Sequence, residues 1–143
     1  MTIAPDAVAV VRAFTTALGA GDVGTCLGLL AEDIVFAEAA SLPFGGEWVG
    51  KSGFVALLKA VGRDYDVRLE PPTVDAAGDA VLVRVFGTFT SRRTGRSMPM
   101  KVLDLYRLRD GLVVRVDVYY QDCLALRELG GHPSDGAAEA ATR

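Results

Sequence analysis

Histidine, cysteine and long apolar runs are nearly missing from this chain, and each scarcity removes a class of function. The one histidine, His132, lies beside Pro133 near the C-terminus. It offers no basis for a Ser-His-Asp or Cys-His arrangement or a histidine-based metal site. Cys26 and Cys123 are the only cysteines, far apart and without a CxxC spacing, so neither a disulfide framework nor a structural zinc site is indicated and both read as reduced thiols. No stretch approaches the roughly 20 apolar residues of a membrane helix, and the first eleven residues lack a basic segment ahead of an apolar one. A basic excess is missing too: the net charge is −3, and the densest cluster, Arg92-Arg93 with Arg96, surrounds Thr94-Gly95 as the solvated tip of a hairpin would. The expectation is a cytoplasmic protein without a membrane or nucleic-acid partner.

What is present is apolar substance: half of the 143 residues are hydrophobic, enough for one compact domain over residues 1–130. Val8, Val11, Phe14 or Thr15, and Leu18 recur at helical spacing, with Pro5 and Asp6 suited to a first turn and Gly19 and Gly21 to an exit. Asp22 can cap a short second helix through Val23, Cys26, Leu27 and Leu30, weakened by Gly24 and Gly28. Residues 34–40 read as a buried strand, followed by a loop from Ser41 to Gly46 before Trp48. Ser52 is then suited to cap a third helix whose stripe is Phe54, Leu57, Leu58 and Val61. After Gly62 the period changes to two, predicting strands near residues 67–70, 80–91, 98–109 and 112–121. Short links at Ala77-Gly78-Asp79, Thr94-Gly95 and Asp110-Gly111 make them antiparallel hairpins. A closing helical turn from Cys123 to Leu129 and a flexible tail over residues 131–143 complete the chain.

Helices at the start and hairpin strands at the end define an α+β domain, with an antiparallel sheet curved around the helices. Such a sheet leaves an apolar cavity against the helices, and function turns on which polar groups point into it. Along residues 98–108, alternation puts Asp104 on one face with Met100, Val102 and Tyr106, the only charge there. Glu38 shares a face with Ile34 and Phe36. Each carboxyl has a plainer reading: a salt bridge to an arginine for Asp104, and a strand end reaching water for Glu38. If both enter one cavity, they could divide acid and base roles, since burial and mutual repulsion pull carboxyl pKa values apart. The more apolar face predicts a neutral Asp104 and an ionised Glu38, the opposite if Glu38 lies deeper. Arg115 and Asp117 read as a cross-strand ion pair.

Several segments together resemble a known family. Residues 14–22 (FTTALGAGD), Leu29-Leu30-Ala31-Glu32-Asp33 with the strand to Glu38, residues 42–50 (LPFGGEWVG), and Leu103-Asp104-Leu105-Tyr106-Arg107 are similar to the bacterial ketosteroid isomerases and the SnoaL-like polyketide cyclases. The resemblance covers approximately residues 6–129. It implies a cone-shaped, cystatin-like or nuclear transport factor 2-like domain, a homodimer, no cofactor, and an apolar small-molecule substrate. It puts Glu38 on the general-base position and Asp104 on the acid. The candidate substrate-binding residues are Phe14, Trp48, Phe54, Tyr65, Val102 and Tyr119. Phe14 falls where the isomerases carry an oxyanion-hole tyrosine and has no hydroxyl to donate, so the implied reaction is cyclisation of a polyketide-type intermediate by ring closure or epoxide opening. Double-bond isomerisation is the alternative enzyme, and a non-catalytic ligand-binding or dimerisation module is the alternative class.

Overall fold

The amphipathic opening segment forms helix α1 (Pro5–Gly19) in the computed structural model, which describes residues 5–131. Ala7, Val11, Phe14 and Ala17 are its buried stripe, the spacing that keeps one helical face apolar. Helix α2 (Val23–Gly28) begins where expected: the Asp22 carboxylate accepts from the Thr25 backbone N–H at 3.1 Å, satisfying a donor that the first turn cannot.

Strand β1 (Leu30–Glu38) starts four residues earlier than the pattern predicts. An irregularity in its pairing between Leu30 and Val35 leaves Glu32 and Asp33 exposed and interrupts the apolar run. Strand β2 (Gly46–Val49), read from sequence as loop, pairs antiparallel with β1 from Glu38↔Gly46 to Val35↔Val49. Helix α3 (Gly50–Asp64) follows at once, so Ser52 is its third residue and not its cap; Val49 stands at the cap position and supplies no side-chain bond.

Then come β3 (Tyr65–Leu69), β4 (Thr73–Ala77), β5 (Ala80–Ser91), β6 (Ser97–Arg109), β7 (Leu112–Tyr120) and helix α4 (Cys123–Leu129). Strand β4 carries one inward apolar side chain, Val74, too little alternation to announce a strand. It pairs with the first part of β5, and β3 pairs with the last part, so two short strands share one edge of a long one. The β6–β7 hairpin turns at Asp110-Gly111, both at positive φ (52° and 77°), the geometry that a two-residue turn between twisted strands requires.

The sheet order is β2-β1-β7-β6-β5-β3 with β4 also on β5, and the β1–β7 pair runs parallel among otherwise antiparallel neighbours. The fold is α+β, a curled half-barrel with helices against it. Phe14, Phe36, Phe54 and Tyr106 form the aromatic centre of the core, with Phe36 stacked on Phe54 at 5.0 Å between centroids. The tail expected over 131–143, apart from Gly131, lies outside the described residues, as does His132. No described helix is long and apolar enough to cross a membrane.

Candidate active site

Two strands that are distant in sequence bring two carboxyls to one cavity. Glu38 ends β1 on the same face as Ile34 and Phe36, both buried. Asp104 sits mid-way along β6, opposite Val83 of β5 and Val118 of β7. Because directly opposite residues in a sheet share a face, Asp104 points inward with two valines beside it. Both carboxyls line a cavity of about 450 Å³ between the concave sheet face and helices α1 and α3. Its floor is buried at Phe36, Tyr106 and Val116, and its rim is exposed at Gly19, Gly62 and Leu69.

The two acids differ in their partners. The Tyr120 hydroxyl donates to Glu38 Oε1 at 2.8 Å and lies 3.4 Å from Oε2. Asp104 Oδ1 is buried and has no hydrogen-bond partner among the described residues. Burial pushes Glu38 up to about 8; Tyr120's donation opposes the rise and the Asp104 charge adds to it. Burial likewise pushes Asp104 up to about 7. Both rise because the apolar cavity penalises the charged form more than any partner compensates it. Both acids hold a proton to higher pH than an exposed carboxyl, so burial does not leave Glu38 ionised beside a neutral Asp104 as expected: Glu38 is itself only 9% exposed. Tyr120, raised well above its ordinary value first by burial and then by the Glu38 charge, stays a neutral donor.

Of the sequence-derived binding residues, Phe54, Tyr65 and Val102 line the cavity with the two acids. Three others do not. Phe14 is fully buried behind the wall, packed on Phe36, Phe54 and Tyr106, because its helix turns that face into the core. Trp48 donates its indole N–H to the Phe44 carbonyl at 2.9 Å and fastens the loop after β1. Tyr119 is 60% exposed on the convex face opposite Leu103. Its neighbour Tyr120 holds the inward position instead. Alternation carried this signal, since Val116, Val118 and Tyr120 share a parity and Arg115, Asp117 and Tyr119 the other. Arg115 and Asp117 do pair, at 3.1 Å, with Glu47 completing the network. Tyr65, raised to about 12 by burial and then by the Asp64 charge, donates to the Leu126 carbonyl at 2.5 Å and ties α4 to the cavity wall.

This geometry belongs to a known class of small α+β domains. The model of the SnoaL-like domain matches residues 11–116, most of the chain, and the chain belongs to that family. Among solved structures it is similar to a nuclear transport factor 2-like protein from Burkholderia xenovorans LB400. The two share 29% sequence identity with a TM-score of 0.78, over 87% of this chain and 95% of that one. It is also similar to a candidate polyketide cyclase from Pseudomonas putida KT2440 (26% identity, TM-score 0.66, 86% and 96% covered). A second such candidate, from Xanthomonas campestris, at 23% identity and TM-score 0.74 over 87% and 96%, shares the fold. No curated protein matches the sequence.

Proposed function

We propose that this protein is a cofactor-independent acid–base enzyme that closes a ring in a polyketide-type intermediate, with Glu38 and Asp104 as its catalytic pair. One observation carries the reading: two carboxyls with raised proton affinity share one apolar cavity, and one of them has an unpartnered oxygen. Membership of the SnoaL-like family and the likeness to candidate polyketide cyclases support it.

Near neutral pH the pair holds about one proton; with that proton on Glu38, Asp104 is the base. Asp104 takes a proton from a carbon between two carbonyls. The resulting enolate carbon attacks a second carbonyl carbon of the same molecule, and a C–C bond forms as the C=O π pair moves onto oxygen. Glu38 gives its proton to that oxygen, while Tyr120 steadies the carboxylate left behind. The net change moves a proton from carbon to oxygen with no oxidant or reductant. These roles exchange the assignment that the family resemblance implies, because the Tyr120 donor stands at Glu38 to hold the carboxylate that proton donation leaves, while Asp104 offers a bare oxygen to take a proton.

The test is protein-dependent ring closure of an acyclic poly-β-keto ester, followed by NMR, beside a β,γ-unsaturated ketone as the probe for isomerisation. Glu38→Gln and Asp104→Asn are each expected to slow closure by about 10²–10⁴ with the circular dichroism unchanged. Closure at wild-type rate in either folded variant would remove that residue from the mechanism. Faster turnover of the ketone than of the keto ester would favour an isomerase.

A further inference from the structure

Resting on the reading of this cavity as a substrate site, we propose that its substrate is an apolar carboxylic acid whose carboxylate is held at the mouth by Arg92, leaving the uncharged end at Glu38 and Asp104. The charged residues lining the cavity are Glu38, Asp66, Arg92 and Asp104, so Arg92 is the only cation among the lining residues. Its guanidinium is used differently from those of the carboxylate-paired arginines. Arg84, Arg107, Arg109 and Arg115 each turn a terminal nitrogen to a carboxylate. Arg92 instead donates Nε to the Gly62 carbonyl at 2.6 Å, and its backbone N–H goes to the Asp64 carbonyl at 2.9 Å.

Those two bonds seat the residue against the end of α3, and capping that end accounts for one of its five side-chain donors. The two terminal nitrogens make no hydrogen bond or ion pair with described residues. With Nε committed, they form a fixed end-on fork, the geometry that receives both oxygens of a carboxylate. The acidic residue at the same rim, Asp66, has Arg68 at 3.9 Å and so competes weakly. An anion cannot go to the other end, where two carboxyls already resist ionising together and no cation lines the wall. The charge distribution therefore orients a ligand: carboxylate outward, reacting end inward.

The experiment compares 1-pyrenebutanoate with its neutral isostere 1-pyrenebutanamide by fluorescence titration on the full chain, at low and at 0.5 M salt. Wild type is expected to bind the acid about tenfold or more tightly than the amide, with the advantage shrinking in salt. Arg92→Met should erase that preference while leaving amide affinity unchanged, and Arg92→Lys should keep part of it. Equal affinity for acid and amide, or an equal loss of both in a folded Arg92→Met variant, would overturn the inference and leave the cavity reading standing. Val118→Trp, or Leu58→Trp on the opposite wall should the first not fold, is the control that fills the cavity. Failure of either probe to bind, or binding that the filler leaves intact, would sink the cavity reading and this inference with it.

Discussion

At the scale of single residues, the proposed catalytic pair works against stability, and the sign follows from the direction of the pKa shifts. A carboxyl raised in the folded state contributes stability that is fully present below its unfolded value and is lost as pH rises through the folded one. For Glu38 the window runs from its ordinary 4.5 to about 8, a loss on the order of 5 kcal/mol across it at 1.36 kcal/mol per pH unit. Asp104 adds a loss of the same sign between 3.8 and about 7. Thermal melts should therefore fall from pH 5 to pH 8. Glu38→Gln should remove roughly half of that fall, and at pH 8 the variant should be more stable than wild type; a pH-independent wild-type melting temperature would contradict this. The proposed activity should have its own window, rising as the pair loses its first proton near 7 and falling as it loses the second near 8, with both apparent values belonging to the pair. Tyr120→Phe removes the donor that favours the Glu38 anion, so the alkaline limb of kcat/KM should move to higher pH. No movement would show that this hydrogen bond does not tune the acid.

At the scale of elements, two glycines make opposite predictions for the same reason. Gly111 closes the β6–β7 hairpin at φ 77°, a left-handed conformation that costs a residue with a Cβ roughly 1–2 kcal/mol. Gly62 lies inside α3 with open space where a Cβ would go, so a methyl there only restricts the unfolded chain. Gly111→Ala should lower the urea midpoint, whereas Gly62→Ala should raise stability by about 0.5–1 kcal/mol. Urea titrations that move both variants in one direction would contradict this account of the turn and the helix. Gly62→Ala leaves the carbonyl that receives Arg92 in place, so the gain should carry no loss in ligand binding.

At the scale of the whole molecule, the convex face is the unfinished surface. Phe86, Leu103 and Tyr119 are 51%, 45% and 60% exposed. Leu103 and Tyr119 are direct cross-strand neighbours, so their apolar areas are contiguous and not scattered. We propose that a second copy covers it through a two-fold contact, in which the same patch meets itself. Light scattering at micromolar concentration should give the mass of a dimer, and Leu103→Glu should give a monomer with an intact fold. A wild-type monomer would leave the patch without this partner.

Local chemistry alone determined much of this protein. Period-two alternation set Asp104 and Val102 on the inward face of β6, helical spacing put Val11 and Phe14 in the core, and Asp22 and Asp110-Gly111 marked a helix start and a turn. Each of these rests on neighbours within four residues, where backbone geometry leaves few choices. The same parity, applied to β7, favours Tyr120 over Tyr119, but it cannot say that the Tyr120 hydroxyl meets Glu38, a contact across 82 positions. Strand β4 and the three-residue shift in the start of α3 escaped because the pairing edge of β5 and the pairing of β2 with β1 decide them. Trp48 was misplaced for a related reason, since an aromatic residue in a loop fits a pocket wall or a core equally well by pattern, whereas Phe14 and Tyr119 were assigned to the pocket against their own helical spacing and strand parity. Only the tertiary structure brought Glu38 and Asp104 into one cavity and raised both their proton affinities, because desolvation depends on how much protein surrounds each carboxyl. That depth belongs to the packed sheet and helices, and no window of sequence contains it.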